Sequence, residues 1–153
     1  MIRFRWSSIS RRFPCDEFPS ASVAVGQVKI FGHSEALARH RSAISDAVHN
    51  ALVEAFAYPI EKKFQRFLPL SELEFLHPAD RSENYLVIEV LLFPGRSPQA
   101  KKAFYALVLE NLKQGLGIVA QDVEIVLLES ARENWCIRGV PGDELTLTYR
   151  VDV

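Results

Sequence analysis

The chain has 153 residues, 48% hydrophobic and 24% charged, with 18 Lys plus Arg against 19 Asp plus Glu. That length and balance suit one globular domain, and a formal net charge of −1 excludes the broad positive field that nucleic acid or an anionic membrane surface requires. The longest apolar run, residues 85–93, is interrupted by Glu89 and falls well short of the ~20 residues that span a bilayer.

Two cysteines, Cys15 and Cys136, make neither a disulfide framework nor a zinc site. The histidines, His33, His40, His49 and His77, lack metal-ligand spacing. No metal or other cofactor is expected, and His49, beside an apolar stripe, reads as structural. Residues 1–25 hold Arg3, Arg5, Arg11 and Arg12 against Asp16 and Glu17, with five serines. This basic leader has no apolar core for a secretory signal. It is read as an N-terminal extension of a cytoplasmic protein, with organelle targeting as the alternative. Met1 is the single methionine, so no later start codon lies within the chain.

Residues 23–31, rich in β-branched and aromatic side chains, predict a strand that closes on Gly32, His33 and Ser34. Ser34 is the expected N-cap and Glu35 suits the positive end of the helix that follows. In that helix Leu37, Ile44, Val48, Leu52 and Phe56 recur at three- and four-residue steps as one buried stripe. Pro59 stops it, and a second strand is expected near residues 63–68. The order then repeats. Residues 85–93 form a nearly continuous apolar strand, the signature of a sheet centre. Gly95, Arg96 and Ser97 stand where Gly32, His33 and Ser34 stood, and Pro98 fits the first helical position. Phe104, Leu107, Val108 and Leu112 give the second stripe, Gly115 and Gly117 end it, and residues 123–128 return as a strand.

The domain, residues 26–153, is therefore βαβ twice over, with halves at about 26–70 and 84–130. Two such units side by side make a four-stranded sheet with both helices on one face. The strand centres are apolar at both parities, so the other face needs cover, most simply from further copies of the chain. Residues 145–151 alternate and predict an added edge strand.

Several strings in this order resemble the tautomerase superfamily, specifically its longer fused members related to malonate semialdehyde decarboxylase and cis-3-chloroacrylic acid dehalogenase. They are Val28 to Ile30, Asp46 to Phe56, Phe64 and Gln65, and Arg81 and Ser82 ahead of Leu86. Gly95 to Ser97 with Lys101 and Lys102, Gly117 and Ile118 ahead of Asp122, and Glu133 to Trp135 complete the set. The resemblance covers roughly residues 26–138. It implies the α/β (α+β) fold of that superfamily, the tautomerase/MIF-like one, with duplicated β-α-β units in a four-stranded mixed sheet. It also implies a homotrimer that binds a small carboxylate.

The resemblance further implies keto–enol isomerisation, decarboxylation or dehalogenation of small oxo or unsaturated acids, with an N-terminal proline at the start of the first strand as the amine base. That position falls near Gly26, which is neither a proline nor a terminus. An aspartate expected after the first helix is Lys62, of two expected arginines Arg96 alone matches, its first-half counterpart is His33, and the aromatic expected two residues after Trp135 is Ile137. Arg96, Trp135, Ile137 and His33 are thus the substrate-binding candidates. The catalytic group is unassigned, with Lys29 as a remote candidate base. Two functions remain open: a tautomerase-type isomerase, or a catalytically impaired scaffold that binds a small anion.

Overall fold

The computed structural model describes residues 26–147 and 150–153. Strand β1 (Gly26–His33) runs straight into helix α1 (Ser34–Phe56), and β2 (Gln65–Leu70) returns beside it. The second unit is β3 (Leu86–Leu92), α2 (Pro98–Leu116) and β4 (Val123–Glu129). A two-stranded hairpin, β5 (Cys136–Ile137) and β6 (Val140–Pro141), follows. The expected extension, with Cys15, lies outside the described residues.

The sheet order is β2-β1-β3-β4. Each half pairs its own strands in parallel, and β1 and β3 meet antiparallel with Gly26 opposite Leu92 and Gly32 opposite Leu86. Alternation along the strands sorts the side chains. Val28, Ile30, Ile88 and Val90 join Leu37, Ile44, Val48, Phe56, Phe104, Val108 and Leu112 in one buried cluster, so both helices pack on one face of the sheet. The expected β-α-β duplication and mixed sheet are observed. Lys29 and Glu89 emerge on the opposite face and pair at 3.2 Å. Between the helices, Phe56 stacks on Phe104 with ring centroids 5.0 Å apart. Among the described residues no helix is long and apolar enough to cross a membrane.

Local chemistry shifts some boundaries. Ser34 does not cap α1: His33 holds the N-cap position without a side-chain cap, and the Ser34 hydroxyl instead donates to the Leu70 carbonyl at 2.9 Å. The end of β2 competes successfully for that hydroxyl because parallel pairing brings Leu70 opposite His33. The second helix behaves as expected, with the Ser97 side chain accepting from the Ala100 amide at 3.1 Å and Pro98 in the first turn.

The edge strand expected over residues 145–151 is not formed by the described part of that segment. Residues 145–147 are irregular, and 148–149 lie outside the described residues. The segment's end meets the head of α2, where the Ser97 amide donates to the Val153 carbonyl at 2.6 Å. Alternation reports a half-buried extended segment but not which edge it will pair with.

Phe104→Ala, which empties the contact between the helices, should cost about 3–5 kcal/mol of stability in urea unfolding. Ser97→Ala, which removes only a cap, should cost about 1 kcal/mol. Equal losses would contradict the assignment of the core.

Candidate functional site

The antiparallel pairing of β1 with β3 sets Gly26 opposite Leu92, next to the turn that carries Arg96. Gly95 in that turn has φ +134°, a conformation that glycine alone adopts easily, and a Cβ there would lie 2.7 Å from the Asp152 carboxylate. Arg96 is only 4% exposed. Its Nη1 donates to the Phe93 carbonyl at 2.6 Å, and its guanidinium lies 5.5 Å from the centre of the Phe56 ring. Its Nε is buried with no hydrogen-bond partner among the described residues.

Trp135 stands edge-on to Phe93, ring centroids 5.4 Å apart, and its indole N–H donates to the Ser130 carbonyl at 3.3 Å. Arg96 and Trp135 are thus joined through Phe93, one by its carbonyl and the other by its ring. Ile137 is half-buried in the hairpin that follows, where the Gly142 amide returns to the Trp135 carbonyl at 2.8 Å.

At Gly26 the Tyr58 ring closes over the backbone. A Cβ would lie 3.1 Å from Tyr58 Cε2, and the Tyr58 hydroxyl donates to the Gly26 carbonyl at 3.4 Å. The position that the resemblance gives to a proline is therefore covered by a buried phenol. Lys62 lies in the turn after α1, its amide bonded to the Pro59 carbonyl. Lys29 is further along β1 on the opposite face, paired with Glu89 and 46% exposed, so the structure does not place it beside Arg96.

His33 ends β1, roughly 23 Å along the strand from Gly26 at ~3.3 Å per residue. The candidate set therefore divides between the two ends of the sheet. At the His33 end, His33 Nε2 and His77 Nε2 are 2.8 Å apart. Phe75 stands edge-on to His33 and stacks on Tyr85, each with centroids 5.2 Å apart. A cleft of about 650 Å³ opens here. His77 showed no signal in the sequence, since 44 residues and a whole helix separate it from its partner. Among the described residues no group of three or more His, Cys, Asp or Glu could hold a metal.

His49 and Asp122 are held within the fold. His49 is buried, with Nε2 on the Ile60 carbonyl at 2.7 Å and Nδ1 without a partner among the described residues. Asp122, 5% exposed, accepts from the Ser82 amide and hydroxyl at 2.7 and 2.6 Å and ties the segment before β3 to the start of β4. Burial pushes the Tyr85 phenol above the ordinary tyrosine range, and its hydrogen bond to Glu124 raises it further while Arg81 pulls the other way. The phenol thus keeps its proton to higher pH. In a pH series of tyrosine-ring carbon spectra, Glu124→Ala should lower the Tyr85 midpoint; an unchanged midpoint would contradict this pairing.

The pattern of the family described as "Tautomerase enzyme" matches residues 62–138. A probable tautomerase of Bacillus subtilis, YusQ, is 25% identical over 97 residues, 60% of this chain and 76% of that protein. The crystal structure of FG41 malonate semialdehyde decarboxylase inhibited by 3-bromopropiolate is 31% identical, with a TM-score of 0.64 over 71% of this chain and 86% of that one. A fused 4-OT solved as an asymmetric trimer is similar in fold, at 17% identity and a TM-score of 0.65 over 76% of this chain and 96% of that one. With its duplicated β-α-β architecture and the family pattern spanning half its length, the chain belongs to the tautomerase superfamily.

Proposed function

We propose that the chain is a tautomerase-type isomerase that moves a proton between the keto and enol forms of a small oxo or unsaturated carboxylic acid at the Gly26 end of the sheet. The observation that carries this reading is Arg96, a buried guanidinium at the head of α2 with Nε unpartnered, over the Phe56 ring and bonded to the carbonyl of Phe93, whose own ring meets Trp135. A guanidinium matches a carboxylate with parallel N–H donors. The positive end of α2 adds to the attraction, and an apolar wall strengthens it by lowering the local dielectric. Family membership supports the reaction class, although a shared fold by itself does not fix the chemistry.

A second reading, a catalytically impaired scaffold that binds a small anion, is favoured by Gly26. Its nitrogen is peptide-bonded to Val25 in this sequence, and Tyr58 packs over it. Ultraviolet assay of phenylpyruvate enol–keto conversion separates the two. The isomerase reading expects turnover above background that falls about 10–100-fold in Arg96→Ala. Background rates with retained phenylpyruvate binding would favour the scaffold, and turnover that survives Arg96→Ala would place the site elsewhere. Arg96 also contacts Phe93 and Phe56, so the melting temperature is measured alongside, with Arg96→Lys as a second variant.

The same reading takes the protein as a cytoplasmic homotrimer. The sheet face away from the helices carries Phe31, Leu68, Val87, Leu91, Val126 and Leu128 around the Lys29–Glu89 pair, with Val126 and Leu128 44% and 41% exposed. An apolar surface of that kind is what copies of a chain cover for one another, and the fused 4-OT neighbour is itself a trimer. Sedimentation equilibrium should give three times the 17.3 kDa chain mass, and Leu128→Glu should shift it toward the monomer. A wild-type monomer at micromolar concentration would overturn the assembly.

A further inference from the structure

The Gly26 end of the sheet gives the isomerase reading a cation for the substrate carboxylate but no amine base, since the Gly26 nitrogen is bonded to Val25 and Tyr58 packs over it. We propose that the base is Asp152, whose carboxylate takes a proton from the carbon beside the substrate's keto group and gives it back. This assignment rests on the Arg96 reading above.

Residues 151–153 are fixed to the chain on both sides of Arg96. On one side, the Ser97 amide donates to the Val153 carbonyl at 2.6 Å, and the Val153 side chain packs against the core. On the other, the missing side chain of Gly95 makes room for the segment. A Cβ there would lie 2.7 Å from Asp152 Oδ1 and 3.1 Å from the Val151 carbonyl oxygen. Asp152 is exposed, between half-buried Val151 and Val153. Its carboxylate is therefore set against the residue that precedes Arg96 while its face stays open to a ligand.

Other carboxylates on the neighbouring strands are engaged. Glu129, opposite Leu92 in the β3–β4 pairing, is held by Lys101 at 2.9 Å. Glu89 is paired with Lys29 on the sheet face away from the helices. Asp152 has no hydrogen-bond or ion-pair partner among the described residues. The positive end of α2 attracts a negative charge beside it, which helps to keep the carboxylate on this turn.

A positioned carboxylate is an effective base for a proton next to a carbonyl. In a 2-oxo acid the carbon that loses this proton is next but one to the carboxyl carbon. A substrate whose carboxylate is held by Arg96 thus presents that carbon close to Gly95, where Asp152 stands. The Asp152 carboxylate takes the proton, the electron pair of the broken C–H bond forms the new C=C bond, and the keto oxygen takes a proton from water. Asp152 then passes its proton to the hydroxide left behind, so atoms and charge balance. Ketonisation runs the same steps in reverse.

The test follows enol–keto conversion of phenylpyruvate by the full chain and its variants, with the melting temperature measured alongside. Asp152→Asn, nearly the same shape without the base, should lower kcat about 100-fold and leave KM little changed. Asp152→Glu should keep part of the rate, and formate added to Asp152→Ala should restore part of it, which a loss of packing alone would not allow. Wild-type turnover that falls in Arg96→Ala but not in Asp152→Asn would overturn the role of Asp152 and leave the isomerase reading standing. A change in KM alone, or no recovery with either glutamate or formate, would overturn it equally. Wild-type rates at background would overturn the isomerase reading and this base together.

Discussion

β1 and β3 run antiparallel down the middle of the sheet, and that pairing decides where the His33 and Arg96 turns lie. A βαβ unit alone buries its helix against only two strands and leaves the outer edge of each strand open. Joining two such units through their first strands closes one such edge in each and lays α1 beside α2. Because the join is antiparallel, the heads of the two helices come out at opposite ends of the sheet. The two strand-to-helix turns, one with His33 and the other with Arg96, therefore cannot form one pocket within a single chain.

The same join ties the site to the core. Phe56, at the end of α1, stacks on Phe104 of α2 and also lies against the Arg96 guanidinium. The arginine is held by the residues that fasten the helices together, so its orientation is set by packing. Phe93 plays a matching part on the other side, offering its carbonyl to Arg96 and its ring to Trp135.

The two halves share a backbone plan but have diverged in chemistry. In the second, serine caps the helix and the preceding side chain is a permanent cation. In the first, the equivalent residue is a histidine paired with another histidine, and the serine hydroxyl is drawn to the end of β2. The two strand-to-helix turns keep the same backbone plan, and the side chain before the serine is an arginine in one and a histidine in the other.

Much of this was legible in the residues themselves. The alternation of β-branched side chains, the three- and four-residue stripes of both helices and the Gly-x-Ser turns report local geometry, because those periods and turn conformations are properties of neighbouring residues. They determined the βαβ duplication and the buried stripes, while Arg96 and Trp135 came as residues of interest from the family resemblance. Three things lay beyond them. The pairing of His77 with His33, the buried Asp122 that holds Ser82, and the cover of Tyr58 over Gly26 join residues 32 to 44 apart in the chain. The separation of His33 from Arg96 and the docking of the final residues on the head of α2 likewise depend on how the strands are ordered. Local patterns carry no information on which distant backbone will compete for a hydroxyl or meet a ring; only the folded sheet brings those partners within hydrogen-bonding distance.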